Sequence, residues 1–333
     1  YTLLGSTTSI EELVKRAKAA SMSHLALTDT NALYGAVAFD RACRQAGIRP
    51  IIGMTATTAR PAALDGPDDP TPDGKSLVLL ASTPAGYRAL CALSSALQGH
   101  PDRETRIRTG LTLDLLSRHS EGVLCLTGGL EGWTAHLLRT GRGEAARAYV
   151  DRLASIYADG LYLTLEMQRP MDVTLAYQLS EMAQSVDRRT VVAHPIYALD
   201  RTSAARLPLL EAIRRNCRLD EIARTSASGT EMERCRYWLS PEEMRARYRA
   251  FPEALETTRE IAARCGYVLP DGTPIWPNLD LPTKGTSSRG QTPDDVLAAM
   301  AQQGLQDRYG PIPHPDVRER LKRELRAIAH YGY

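Results

Sequence analysis

Residues 25–37 read LALTDTNALYGAV, and they hold the side chains best placed for chemistry. Leu25, Ala26 and Leu27 form an apolar run of strand type that delivers Thr28 and Asp29 to a strand end, where metal-binding and catalytic groups usually sit. One carboxylate, Asp29, arrives there. Its neighbour is Thr30, whose hydroxyl cannot replace an imidazole as a metal ligand. The stretch therefore reads as a metal site that has lost a ligand, and the fate of the other ligands decides between an enzyme and a scaffold. Asp29 carries a second reading as the cap of a helix starting near Leu33, since aspartate accepts backbone N–H bonds at that position.

The elements that must position these residues alternate. Ser9 and Glu12 have capping-box spacing ahead of a helical stripe of Ile10, Leu13, Val14 and Ala17. A strand over 25–28, a helix over 35–46 ending at Gly47 and a short strand from Ile48 to Gly53 follow. This β-α-β rhythm predicts a mostly parallel sheet with helices outside. Residues 60–75 are a Pro/Asp/Gly loop. Strands over 77–81, 122–127, 161–166 and 190–193 then alternate with helices over 84–97, 111–118, 131–140, 144–158 and 173–186, while 98–110 is polar and basic without clear periodicity. About six strand–helix alternations before residue 200 predict an α/β barrel, distorted and with seven or eight strands, in preference to an open sheet. Beyond residue 200 the strands stop. Helices are predicted over 204–216, 241–248 and 252–265, then a proline-rich extended linker, then a helical tail over 292–309 and 315–330 that opens with Thr292, Pro293 and Asp295.

Composition narrows the function classes. The chain has 333 residues, 43% of them hydrophobic, enough for one large domain or for one domain with a smaller companion. A formal charge of +2 does not demand nucleic acid and leaves room for a local basic face. The run RETRIR supplies one: Arg103, Arg106 and Arg108 are candidates for DNA phosphate contact, against the alternative of a solvated face. Cys43, Cys91, Cys125, Cys217, Cys235 and Cys265 include no CxxC pair and read as buried reduced thiols. No apolar run approaches the ~18 residues that span a bilayer, and no signal peptide is visible, so a cytoplasmic protein is expected. The start at Tyr1 and the stop at Tyr333 in a running helix read as cuts through a longer polypeptide, or as a beginning lost to disorder.

Several of these strings together resemble one family. The segment from IEELVKRAKAA through LALTDTNALYG to GIRPIIG is similar to the PHP (polymerase and histidinol phosphatase) domain that opens the alpha subunit of DNA polymerase III, the bacterial C-family replicative polymerase. LVLLASTPAGYRALCALSS, LLSRHSEGVLCLTGGLEG, LYLTLEMQR and YWLSPEEMRARYRAFPEALETTREIAARCGYVLP match in the same order, and GLQDRYG and RLKRELRAIAHYGY resemble the first helices of that polymerase's palm. The accessory error-prone C-family polymerase is similar over the same region, and the choice between the two stays open. The resemblance implies an α/β fold: a distorted seven-stranded (β/α) PHP barrel over 1–270, a proline-rich linker over 271–291, and the start of the palm over 292–333. It also implies a cluster of His, Asp, Glu and Cys ligands at the barrel mouth, holding two or three divalent cations that polarise a phosphodiester and generate hydroxide.

Carried over one residue at a time, that ligand set is mostly blank. A His-x-His segment would precede Tyr1 and is not in this sequence. An Asp–His pair corresponds to Asp29 and Thr30; a glutamate after the I-x-G strand end corresponds to Thr55; a Cys or His in LTGGLEG corresponds to Gly129; and an Asp-x-His on the final strand corresponds to Pro195 and Tyr197. Only Asp29 keeps its ligand type, and one carboxylate cannot hold a dinuclear cluster. The resemblance thus implies a structural scaffold with no cofactor of its own, with Mg in the parent polymerase, whose catalytic aspartates lie beyond residue 333. No Asp-x-Asp occurs here, and Asp294–Asp295 reads as a dipole pair at a helix start. The alternative is an active metal-dependent phosphoesterase or 3′–5′ proofreading exonuclease with Zn or Mn. His194 reads as a strand-end histidine or as a replacement ligand shifted by one position. Glu166 reads as a salt-bridge partner of an arginine or as a metal ligand, and His100 and His119 as surface residues. The implied partners are the remainder of the polymerase chain, a separate proofreading exonuclease subunit, and DNA through the parent, with no membrane.

Overall fold

A computed structural model describes residues 5–61, 73–225, 236–273 and 292–331. At its centre is one mixed sheet of six strands in sequential order. The strands are β1 (His24–Thr30), β2 (Arg49–Thr58), β3 (Lys75–Ala81), β4 (Val123–Leu126), β5 (Leu161–Leu165) and β6 (Arg189–Val192). The β1–β2, β4–β5 and β5–β6 pairs are parallel, as the β-α-β rhythm predicts, whereas β3 runs antiparallel to both β2 and β4. Antiparallel neighbours need no crossover helix, and the Pro/Asp/Gly composition of 60–75 suits a reversal; residues 62–72 lie outside the described residues. The sequence predicts a seven-stranded barrel; the seventh strand has no counterpart among the described residues.

Alternation along the strands explains the layers. Leu77, Leu79 and Ala81 of β3, Cys125 of β4 and Leu163 of β5 join a large core with Phe39, Leu90, Trp133 and Tyr149. Their neighbours Leu80, Leu124, Leu126, Tyr162 and Val191 face the other way and meet Ile261 and Cys265 at the helix Pro252–Arg264. Both faces of the central strands are therefore apolar, which is why they read as short continuous hydrophobic runs.

The helices around the sheet are set by local signals. α1 (Ile10–Ala19) carries the full Ser9–Glu12 capping box, and α2 (Ala36–Ala46) stops at Gly47 in the left-handed region. α3 (Pro84–Gln98) is capped by Thr83. α4 (Arg103–Thr109) is a helix within the stretch 98–110 that shows no clear periodicity: Asp102 caps it, and with no buried residue it leaves no apolar stripe to read. α5 (Leu113–Arg118), α6 (Trp133–Arg139), α7 (Gly143–Tyr157) and α8 (Asp172–Ser185) complete the alternation. Past β6, the single helix predicted over 204–216 is two, Arg201–Ala204 and Leu207–Arg215.

The chain divides into two compact units, Tyr1–Pro270 and Asp271–Tyr333. The second contains the helices Pro293–Tyr309, opened by a Thr292–Asp295 capping box, and Pro315–Tyr331. Most of the stretch expected as a linker, 274–291, lies outside the described residues. Cys43, Cys91, Cys125, Cys217 and Cys265 are free thiols, and Cys235 is outside the described residues. No helix among the described residues is long and apolar enough to cross a membrane.

Candidate functional site

The residues at the head of the expected ligand set are in strands, not in a loop. β1 continues through Thr30, two residues past the predicted strand end at 28, and the register pairs Asp29 with Met54 and Thr30 with Thr55. Asp29 is buried, and its Oδ2 accepts the Gly35 backbone N–H at 2.9 Å. Gly35 is the N-cap of α2, so the carboxylate serves the start of that helix. Thr30 is exposed. The Thr55 hydroxyl donates to the Thr28 carbonyl at 3.2 Å and lies 3.3 Å from the Thr28 hydroxyl. Asn31, with φ 55°, fills the adjoining turn. Its amide donates to Thr57 Oγ1 at 2.9 Å, its Oδ1 accepts the Thr57 N–H at 2.7 Å, and its carbonyl accepts from Ser94 and Gln98. The sequence reading missed Asn31, although Asn is the non-glycine residue that most readily adopts this conformation. The ends of β1 and β2 thus form a hydroxyl–amide network. Asp29→Ala removes the cap and lowers stability by about 1–2 kcal/mol, read as a shift of the urea midpoint; Asp29→Asn, which keeps an acceptor oxygen, loses less.

The second cluster is built where β4 and β5 end. Thr127 Oγ1 accepts the Thr164 N–H at 2.9 Å and ties the two strand ends together. Gly128 and Gly129 follow with φ 82° and 58°. Glu166, the residue after β5, turns back over this double-glycine turn. It is 5% exposed; its Oε2 accepts the Leu130 N–H at 3.0 Å and its Oε1 accepts the Gln168 amide at 3.0 Å. A Cβ placed on Gly129 would fall on Glu166 Oε2. The space a side chain at position 129 would need is therefore filled by a neighbouring carboxylate. Arg236 Nη2 lies 3.8 Å from Glu166 Oε1 and 3.0 Å from Glu131 Oε1, which is the arginine pairing expected of Glu166. Burial raises the Glu166 carboxyl above its ordinary range, against the pull of Arg236, Gln168 and the Leu130 N–H.

His194 and the two remaining blank positions close this cluster. His194 Nε2 is 2.7 Å from the Tyr237 carbonyl and Nδ1 is 3.5 Å from the Gln168 amide nitrogen. The network assigns the proton to Nε2 and leaves Nδ1 as acceptor. Burial lowers the imidazole pKa to about 4, with the charges of Arg247 and Arg236 adding to the shift. Pro195 and Tyr197 lie on the segment after β6. The Tyr197 carbonyl accepts from Ser6 and Thr7, its N–H donates to the Arg236 carbonyl at 2.8 Å, and its ring centre is 5.3 Å from the Arg236 guanidinium carbon. Arg236 and Gln168 were missed from sequence, where nothing distinguishes them from any other arginine or glutamine.

The structure thus gathers Gly129, His194 and Tyr197 around Glu166 and Arg236, places Thr55 in the hydroxyl–amide network, and sets Asp29 at the start of α2. Among the described residues no group of three or more His, Cys, Asp or Glu side chains is arranged to hold a metal ion. The donors present do not fit a divalent cluster. Asp29 caps a helix, the Glu166 oxygens face N–H donors and a guanidinium, and His194 points its N–H at a carbonyl. No hydrolytic step is therefore derived through a metal. Of the basic candidates, Arg103 is exposed, Arg106 is half-buried, and Arg108 pairs with Asp73 at 3.1 Å.

Residues 1–169 match the PHP domain family. The chain is 31% identical to the DNA polymerase III subunit alpha of Halalkalibacterium halodurans over 333 residues, which is all of this chain and 27% of that protein. It is 30% identical to the Bacillus subtilis subunit over 98% of this chain and 27% of that protein. It is 30% identical to the error-prone DNA polymerase of Symbiobacterium thermophilum over the whole chain and 30% of that protein. A solved amidohydrolase from Chromobacterium violaceum superposes on 48% of this chain and 82% of its own at a TM-score of 0.31 and 14% identity, too distant to bear on the fold. The chain spans less than a third of the length of these polymerase relatives.

Proposed function

We propose, from the premise that this chain belongs to the PHP domain family, that it is the N-terminal PHP region of a bacterial C-family DNA polymerase and serves DNA replication as a structural scaffold without phosphoesterase chemistry. The polymerase assignment is supported by alignment of the whole chain with DNA polymerase III alpha subunits at about 30% identity. The error-prone polymerase is the second reading, supported by its equal identity over the same span. The scaffold role is carried by one observation: the glycine at a ligand position has its side-chain space filled by Glu166.

Finer features belong to the same proposal. The six-stranded sheet is the described part of a distorted seven-stranded PHP barrel over 1–270. Residues 271–291 are its linker and 292–333 the first helices of the palm. The partners are the remainder of the polymerase chain, where Mg supports nucleotidyl transfer, a separate proofreading exonuclease subunit, and DNA, with Arg103, Arg106 and Arg108 as the candidate phosphate contacts. The compartment is the cytoplasm.

The test is metal content. The polymerase chain containing this region is purified without chelator, alongside its Asp29→Ala variant. Zn, Mn and Fe are counted per chain, and hydrolysis of end-labelled single-stranded DNA is followed. The expected result is no stoichiometric metal that Asp29→Ala removes and no hydrolysis that depends on Asp29. A full equivalent of metal, lost with Asp29 together with nuclease activity, overturns the scaffold reading in favour of a working phosphoesterase.

A further inference from the structure

We infer that the guanidinium of Arg236 is a built-in counter-ion that takes the place of a bound cation at the site of the lost metal ligands. The inference rests on the metal-free reading proposed above and extends it to what neutralises the mouth instead. Two carboxylates, Glu131 and Glu166, turn their Oε1 atoms toward one nitrogen, Nη2 of Arg236. The side chains of Glu166 and Arg236 are 3% and 11% exposed, so this charge pair is withdrawn from water. A buried carboxylate is tolerated only when a positive partner and hydrogen bonds replace its hydration.

The delivery of Arg236 points the same way. Its carbonyl accepts the N–H groups of Tyr197 at 2.8 Å and Ala198 at 3.2 Å, and the Trp238 N–H donates back to the Ala198 carbonyl at 3.0 Å. An Ala198–Tyr237 bridge completes this pairing. The strap that brings the guanidinium is therefore pinned to the segment after β6 that carries Pro195 and Tyr197, two of the blank positions. The Gln168 amide adds a second donor: one nitrogen lies 3.0 Å from Glu166 Oε1 and 3.5 Å from His194 Nδ1, between two groups that a cation would otherwise draw together. Arg236 Nε has no hydrogen-bond partner among the described residues. The arginine is held there by charge more than by a two-pronged fork on one carboxylate, which is the role of an ion.

A double-mutant cycle in this chain tests the inference, with unfolding followed in urea at neutral pH with and without EDTA. Arg236→Met keeps the side-chain bulk and strands Glu166; the unfolding constant is expected to rise by about 100-fold or more. Glu166→Gln removes the stranded charge, so adding Arg236→Met in that background is expected to change the constant by no more than about tenfold. This second comparison stands even if the single Arg236→Met chain fails to fold. Arg236→Lys, which keeps the charge, retains most of the wild-type midpoint, and EDTA leaves every midpoint in place. An equal loss from Arg236→Met in both backgrounds means that the arginine only packs, and overturns the inference. A midpoint that falls with EDTA, together with bound metal, instead sinks the metal-free reading itself.

Discussion

Gly129→Ala lowers the stability of this chain by about 4 kcal/mol, through backbone strain and a buried collision that act in the same direction. Gly129 sits at φ 58°, where an L side chain costs about 1 kcal/mol. The collision costs more, first sterically and then electrostatically. The new methyl falls on Glu166 Oε2, and Glu166 Cβ is only 3.1 Å from the same point, so rotating the carboxylate aside does not clear the space. Glu166 must give up the Leu130 N–H and its place beside Arg236, and breaking a buried charge pair costs about 3–5 kcal/mol. Urea unfolding of the variant reads the loss directly. Glu166→Ala in the Gly129→Ala background removes the carboxylate that causes the hardest overlap and leaves only the tight Cβ contact at 3.1 Å, so the two substitutions together cost less than their sum. Gly129→Cys behaves like Gly129→Ala and gains no metal, although it restores a family ligand type. A stability loss under about 1 kcal/mol for Gly129→Ala means that Glu166 does not occupy the space as described.

The parts of this site that were legible in the sequence are those with local causes. Strands buried on both faces, such as β3 and β5, announce themselves as short apolar runs, and Ser9–Glu12 and Thr292–Asp295 are capping boxes readable from spacing alone. The second reading of Asp29, as a helix cap, is the one its contact with Gly35 supports. The blanks that the resemblance implies at Thr30, Thr55, Gly129, Pro195 and Tyr197 are read one position at a time, because ligand type is a property of one residue. What fills a blank is not. Glu166 closes the space at Gly129 from the next strand, and Arg236 reaches both carboxylates from a strap pinned far along the chain. Such pairings follow from tertiary packing and have no signature in spacing or periodicity. α4 escaped for the opposite reason: an exposed seven-residue helix held by its cap has no buried face to pattern. The direction of β3 was equally hidden, since an apolar strand reads the same in either orientation.

His194 makes the chain lose stability as the pH falls from about 6.5 toward about 4, and it does so without any metal. Its imidazole is held neutral first by burial, then by the charges of Arg247 and Arg236, while the Tyr237 carbonyl pulls the other way. The unfolded chain takes up the proton near pH 6.5 and the folded chain only near pH 4. Stability from this residue is therefore fully present above the unfolded value and is lost through the window between the two, by about 3 kcal/mol in all. Glu166 works with the opposite sign. Its raised carboxyl pKa lets the folded state bind a proton before the unfolded state does, so its contribution grows as the pH falls through the folded value. The wild-type profile is the difference of the two, and His194→Gln isolates the histidine while keeping an amide donor for the Tyr237 carbonyl. Urea midpoints at neutral pH and near pH 4.5 are expected to separate wild type from His194→Gln by about 2–3 kcal/mol. Equal slopes for the two chains would show that the histidine titrates normally. The sensitivity persists in chelator, because the neutral imidazole is enforced by desolvation and two guanidinium groups. An imidazole held neutral by a bound cation would lose its low pKa once that cation was stripped away.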